Sequence, residues 1–268
     1  MKKSSILLIV MALTLFGSAF VAQAETPDAT ELMKTAHLNM YYPGEDGTAT
    51  VSMTITDRRG KTRERKFVIL RRDWEDGGEQ RYFVYFFEPN DVRRMTFMAW
   101  KNPTADDSRW IYIPSLDLVK PISANDKKSS FVGSDFSYED VSGRPWTEDT
   151  HTFLREEDLA GKSTYVIESH PKDKDYFAKK ITWIDKATML ILREEYYDSK
   201  DRELKIFESL EIQDVDGIPT ATTRRMTTPK KKNVTVITFS DVAYDVGIDA
   251  KVFSERYLKS PPRKYINQ

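Results

Sequence analysis

The sequence contains no cysteine, only three histidines, and an almost even balance of 41 basic and 42 acidic residues. Without cysteine there is no disulfide, no thiol nucleophile, and no thiolate set for a structural zinc. It also excludes lipidation of an N-terminal cysteine after a leader. The near-zero net charge of −1 supplies no basic face to release counterions from phosphate, so nucleic acid is not an expected partner. His37, His151 and His170 are isolated from one another, with no H-E-x-x-H spacing. A G-x-S-x-G elbow and a phosphate-cradling glycine loop are both missing as well. Beyond the first two dozen residues no run is long and apolar enough to span a bilayer.

What is present begins with a leader. Lys2 and Lys3 precede an apolar run over 6–16 broken only by Thr14, and Ala22-Gln23-Ala24 forms an A-x-A site before Glu25. This pattern predicts a secretory signal peptide over 1–24, cleaved after Ala24. The other reading is an uncleaved anchor, for which the apolar run is short. Residues 25–268 are then expected as one exported domain, most simply in a bacterial periplasm. About 240 residues suffice for one core without disulfides.

Asp28, with Glu31 three residues on and Pro27 before it, predicts a helix start. Ala29, Leu32, Met33, Ala36 and Met40 then recur at helical spacing. Such a helix either packs on a sheet or serves as a lid, where the thioethers of Met33 and Met40 adapt to varied apolar partners.

From residue 48 the period becomes two. Val51, Met53 and Ile55 alternate with polar residues up to the turn Asp57-Arg58-Arg59-Gly60. Further strands are expected over 61–72, 81–87, 93–100, 109–113, 151–156, 163–169, 178–184, 190–197, 204–212, 220–226 and 234–242. Short turns such as Asp76-Gly77-Gly78, Ala160-Gly161-Lys162 and Asp216-Gly217 separate them. No helix-length crossover appears, so the strands are antiparallel neighbours. The fold class is mainly β (α+β), with one large, strongly curved antiparallel sheet. Lys230 to Lys232 read as a solvated hairpin tip, and Pro261-Pro262-Arg263-Lys264 as a loose tail.

Tyr82, Val84 and Phe86 alternate with Phe83, Tyr85 and Phe87, so this strand is apolar on both faces. Either both faces are covered, or one lines an apolar cavity. One short helix cannot cover so many strands, which favours a concave surface that is filled or used. The run from Trp110 to Val141 is the one long interruption of the meander. In it Gly133 permits positive φ, and Ser134 or Asp135 is placed to cap a short helix from Phe136 to Val141. Phe131, Phe136 and Tyr138 would plug that segment into the sheet, as a fixed plug or as a gate. Asp135, Glu139 and Asp140 are clustered acids, but a glycosidase pair must converge across a substrate. Nothing here reads as catalytic.

Trp110-Ile-Tyr-Ile-Pro-Ser-Leu and the run Phe131-Val-Gly-Ser-Asp-Phe-Ser-Tyr-Glu-Asp140 resemble the LolA/LolB-like outer-membrane lipoprotein-sorting family. The likeness is to its periplasmic branch associated with RND-type transporters. Trp183-Ile-Asp-Lys186, Arg193-Glu-Glu-Tyr-Tyr-Asp198, Asp216-Gly-Ile-Pro219 and Val246-Gly-Ile-Asp249 with Phe253 and Leu258 are similar to it too. The resemblance implies a half-barrel with an N-terminal helix and a short central helical or loop segment over its concave face. It implies a lipid or lipidated protein as cargo, an inner-membrane RND-type transporter as partner, transient membrane contact, a monomeric state and no cofactor. Cavity or lid candidates are Met33, Met40, Tyr82, Val84, Phe86, Trp110, Tyr112, Phe131, Phe136 and Tyr138. The alternative function is an envelope scaffold or assembly protein that uses the sheet for protein contacts.

Overall fold

The computed structural model describes residues 26–266; the signal-peptide expectation over 1–24 lies outside them. Helix α1 (Ala29–Tyr41) starts where Asp28 accepts hydrogen bonds from the backbone amides of Thr30 at 2.8 Å and Glu31 at 3.2 Å. These satisfy two of the amides that a helix N-terminus leaves unpaired. Ala29, Met33, Ala36, His37 and Met40 form its buried face.

Thirteen strands form one open antiparallel sheet: β1 (Asp46–Thr56), β2 (Thr62–Asp73), β3 (Gln80–Glu88), β4 (Thr96–Lys101), β5 (Ser108–Ile113), β6 (Leu118–Ile122), β7 (Asp149–Leu159), β8 (Lys162–Pro171), β9 (Lys179–Asp185), β10 (Ile191–Tyr197), β11 (Glu203–Val215), β12 (Ile218–Thr228) and β13 (Asn233–Tyr244). Their order is β6-β5-β4-β3-β2-β1-β13-β12-β11-β10-β9-β8-β7. Two meanders therefore meet where the first and last strands pair, with Val51 opposite Phe239 and Met53 opposite Ile237. The result is a half-barrel with α1 over its concave face.

This order has one topological consequence. Strands β6 and β7 follow each other in sequence yet form the two outer edges. The chain between them must cross the whole concave face. Residues 123–148 make that crossing, through helix α2 (Tyr138–Ser142) and three short 3-10 turns.

Three expectations need correction. The fourth strand begins at Thr96 rather than at residue 93, because Arg94 takes a positive φ of 67° in a turn where its amide bonds back to Phe86. Strand β6 had no counterpart in the sequence reading. It is short and carries Pro121, which lacks a ladder donor and suits an edge. The residues after β13 are not a loose tail. Asp46 accepts from the amides of Val246 at 2.8 Å and Ile248 at 2.6 Å, tying the chain down as it leaves the sheet. A 3-10 turn (Ala250–Phe253), α3 (Glu255–Lys259) and α4 (Arg263–Ile266) then cover the convex face. Val252, Phe253 and Leu258 pack there on Val68, Leu70, Phe83 and Met98.

Both faces of β3 are thus covered. Tyr82, Val84 and Phe86 belong to the concave core, while Phe83, Tyr85 and Phe87 lie beneath the C-terminal strap.

Candidate functional site

The candidate site is the concave face and its two covers. Strand alternation decides which side chains reach it. Register pairs Val51 with Phe67, Phe67 with Phe86, and Val84 with Phe97, building an apolar floor across β1–β4. Phe131 of the crossing segment enters this floor and is almost wholly buried. Its ring centroid lies 6.2 Å from Phe67, 5.9 Å from Phe86, 5.5 Å from Phe97 and 5.6 Å from Tyr138. Three of these four contacts are edge-on, the arrangement aromatic quadrupoles favour.

Polar bonds fix the crossing segment in place. The Asp135 carboxylate accepts from the hydroxyls of Thr228 at 2.7 Å and Thr235 at 2.8 Å, and the Asp135 amide donates to the Thr235 hydroxyl at 3.0 Å. Asp135 is therefore a staple to β12 and β13, and caps no helix. The cap of α2 is Ser137: its hydroxyl accepts from the Asp140 amide at 3.1 Å, and the Asp140 carboxylate accepts from the Ser137 amide at 2.7 Å. This reciprocal pair is a capping box, displaced by two or three residues from the positions the sequence pointed to. Gly133 has the positive φ it was expected to have, at 81°. The neighbouring Val132 is also left-handed, at φ 48°, which is strained for a β-branched residue.

Asp135→Ala is expected to cost about 1–3 kcal/mol, since it leaves the Thr228 and Thr235 hydroxyls without their carboxylate acceptor. The urea midpoint should fall, and limited proteolysis should cut within 123–148 sooner than in the unaltered chain. An unchanged cleavage rate would mean that Asp135 does not hold this segment.

The other half of the concave face has a different character. Helix α1 packs against β7, β10, β12 and the turn before β7, over strands that carry inward-facing charges. Lys180 pairs with Glu194 at 2.7 Å, and the Tyr196 hydroxyl donates to Glu194 at 2.8 Å. Lys205 pairs with Asp140 at 2.7 Å and lies 4.5 Å from the Tyr196 ring centroid. Burial, then the neighbouring Glu194, raises the Tyr196 phenol well above its ordinary range. Glu139 is buried beside Lys127 at 2.8 Å, and Arg144 binds Asp149 at 2.7 Å and Asp175 at 2.8 Å. Asp135, Glu139 and Asp140 thus point into three separate bonding networks and do not converge.

His37 sits beneath α1 with ring centroids of Tyr41, Tyr42 and Trp146 at 5.0, 5.7 and 5.1 Å. Burial, reinforced by the charges of Lys101 and Lys180, lowers its pKa to about 3. His151 is held between the Ser169 hydroxyl at 2.8 Å and the Trp146 carbonyl at 2.9 Å. Among the described residues no group of three or more acids and histidines is disposed to hold a metal ion.

With both covers seated, little interior space remains. About 40 Å³ lies under the middle of α1, bordered by Met33, His37, Phe136 and Phe207. About 100 Å³ lies at its C-terminal end, bordered by Met40, Ala49, Ile69, Tyr82 and Phe239. Both fall well short of the several hundred Å³ typical of a ligand cavity. A polar cleft of about 370 Å³ opens beside Lys101, Asp107, Arg109 and Glu148.

The sequence candidates divide between the two faces. Met33, Met40, Tyr82, Val84, Phe86, Phe131, Phe136 and Tyr138 all belong to the concave core or pack against it. Trp110 and Tyr112 do not. Register pairs Trp110 with Met98 and Tyr112 with Thr96, which places both on the convex face beneath the C-terminal strap. Their neighbour Ile111 is the inward residue. The placement expected for Trp110 and Tyr112 is thereby corrected. The inward charges Lys180, Glu194, Lys205 and Arg224 were not singled out from sequence.

A family model, described as that of an uncharacterized protein, matches residues 78–260. A DUF1329 family protein from Desulfovibrio piger is 29% identical, with a TM-score of 0.79, over 87% of this chain and 100% of its own. A protein from Vibrio parahaemolyticus assigned as an outer membrane lipoprotein-sorting protein domain is 27% identical, with a TM-score of 0.79, over 86% of this chain and 98% of its own. The chain belongs to this LolA-like family. A LolA superfamily protein from Nitrosomonas europaea shares the family fold at 18% identity, with a TM-score of 0.66, over 85% of this chain and 98% of its own. No protein of curated function matches the chain. Among the described residues no helix is long and apolar enough to cross a membrane.

Proposed function

We propose that the chain is a monomeric periplasmic carrier that shields the acyl chains of a lipid or lipidated protein between membranes. One observation carries this reading: the apolar concave face is closed by two covers that are not strands of the sheet. A helix and a crossing segment can move away without breaking any β-ladder. The adaptable Met33 and Met40, and the aromatic rings of Phe131, Phe136 and Tyr138, are the surfaces an acyl chain would displace. The resting cavities of about 40 and 100 Å³ make displacement necessary, so the seated arrangement corresponds to the empty carrier. An inner-membrane RND-type transporter is the proposed donor or acceptor of cargo, with transient membrane contact at transfer. No cofactor takes part.

The test is gentle purification from an exporting host followed by lipid mass spectrometry, with titration of a fluorescent fatty acid. Co-purified acyl lipid, or saturable probe binding, supports the carrier. The small resting cavities also favour a second reading, an envelope scaffold whose covers stay seated. Under that reading the probe does not bind, and cross-linking in cells traps a protein partner.

A further inference from the structure

Most inward-facing cations of the concave face come with carboxylates; among the described residues Arg63, exposed near the start of β2 and bonded to the Gly133 carbonyl at 3.2 Å, and Arg224 do not. Arg65 pairs with Asp91 at 3.0 Å, Arg71 with Asp73, Arg109 with Asp107 at 2.7 Å, Lys180 with Glu194 at 2.7 Å and Lys205 with Asp140 at 2.7 Å. Arg224 on β12 makes no ion pair among the described residues. Its register partner is Ile237, an inward core residue, so it too points into the concave face. Its Nε donates to the Ala221 carbonyl at 3.1 Å, and its guanidinium carbon lies 4.7 Å from the Phe239 ring centroid. The ionisable groups that act on it are the phenols of Tyr41, Tyr244 and Tyr82, from α1, β13 and β3. Burial pulls its pKa below the ordinary arginine value, yet arginine keeps its charge in proteins. Arg224 is half-buried, and a cation partly withdrawn from water without an anion carries a desolvation cost.

Arg224 also borders both small spaces beside α1, the second of which is open to solvent. The one of about 100 Å³ at the end of α1 has room for roughly three water-sized groups. Its other walls include the apolar side chains of Met40, Ala49, Ile69 and Val242. The other guanidinium there, Arg71, is already taken by Asp73 and by the carbonyls of Pro43 and Gly44.

We propose that Arg224 is the headgroup site of this cavity, and that the cargo is an anionic amphiphile. A carboxylate or phosphate would bind the guanidinium, while the hydrocarbon enters the space that Met40 and Tyr41 vacate as α1 lifts. This rests on the carrier reading and narrows it: an acylglycerol without charge leaves Arg224 unpaired and binds more weakly. The planar fork of arginine suits a two-oxygen anion better than a lysine would.

The test is calorimetric titration of the purified protein with two matched pairs, oleate against oleyl alcohol and phosphatidate against diacylglycerol with the same chains. The wild type should prefer the charged member of at least one pair by about tenfold or more, as a charge-assisted hydrogen bond provides. The pair that shows the preference tells whether the anion is a carboxylate or a phosphate. Arg224→Gln, with its melting temperature checked, should bind the neutral member as the wild type does and lose the preference; Arg224→Lys should restore part of it. If neutral amphiphiles bind but charge brings no preference, or Arg224→Gln keeps the preference, the headgroup assignment is wrong and the carrier reading stands. If no amphiphile of either kind binds, both fall.

Discussion

Phe131→Ala should destabilise the protein by about 3–5 kcal/mol, the range for removing a fully buried aromatic ring. Phe131 is 1% exposed and touches four other rings from two layers of the molecule. Phe67, Phe86 and Phe97 belong to the sheet, and Tyr138 to α2. Truncation therefore opens a cavity that rigid strands cannot collapse into, and also separates the crossing segment from its floor. Each lost ring pair adds about 0.5–1.5 kcal/mol beyond its buried area. For a domain of this size the melting temperature should drop by roughly 10 °C. Phe131→Leu, which keeps much of the volume, should lose clearly less. A fall of only 1–2 °C for the alanine variant would show that the plug is loosely seated.

Acid should weaken the fold through His37, and the sign follows from the direction of its shift. The folded-state pKa of about 3 lies below the ordinary value of 6.5, so folding holds the ring neutral. Above pH 6.5 the ring is neutral in both states and costs nothing. Below that, the unfolded chain takes up a proton that the folded chain refuses until about pH 3. Stability is thus lost at about 1.4 kcal/mol per pH unit across that window, or roughly 5 kcal/mol in all. Asp73 acts in the opposite sense: burial raises its pKa to about 6, so protonation favours the folded state as pH falls from 6. A difference between two profiles removes that contribution. Urea unfolding of the wild type and His37→Leu between pH 7.5 and 4 should diverge progressively below pH 6.5, the wild type falling more steeply. Parallel profiles would mean that the ring is not buried as a neutral group. Because His37 lies between α1 and the Trp146 turn, the same protonation loosens the seat of the helix cover.

How much of this was legible in the sequence depends on what each residue reveals about direction. Val51, Met53 and Ile55 alternate with polar neighbours, and such a strand announces its own inner face. Tyr82 to Phe87 announced two covered faces, without revealing that the second cover is the C-terminal strap around Val252, Phe253 and Leu258. Trp110 and Tyr112 show the limit of the method. Alternation separated them from Ile111 but did not say which set faced inward, and their size suggested the wrong answer. Lys180, Glu194, Lys205 and Arg224 were invisible for another reason. A charge at a strand position reads as solvent-facing; the partners that allow Lys180, Glu194 and Lys205 to be buried come from other strands or, for Lys205, from Asp140 in the crossing segment, while Arg224 has no carboxylate partner among the described residues. Ser137 lost to Ser134 and Asp135 as the expected cap because all three are good capping residues. Only the staple from Asp135 to Thr228 and Thr235 takes that carboxylate out of contention.

The absence of native cysteine permits a clean test of the central claim, that α1 must lift to admit an acyl chain. Asn39 on α1 donates to the Thr188 carbonyl in the turn between β9 and β10 at 3.1 Å. A cysteine pair at these two positions would join helix and sheet by the molecule's only disulfide, its formation verified by thiol titration. Binding of a fluorescent fatty acid should be lost in the oxidised protein and return on reduction, with the reduced form matching the wild type. Equal binding in both redox states, or none in either, would contradict the account.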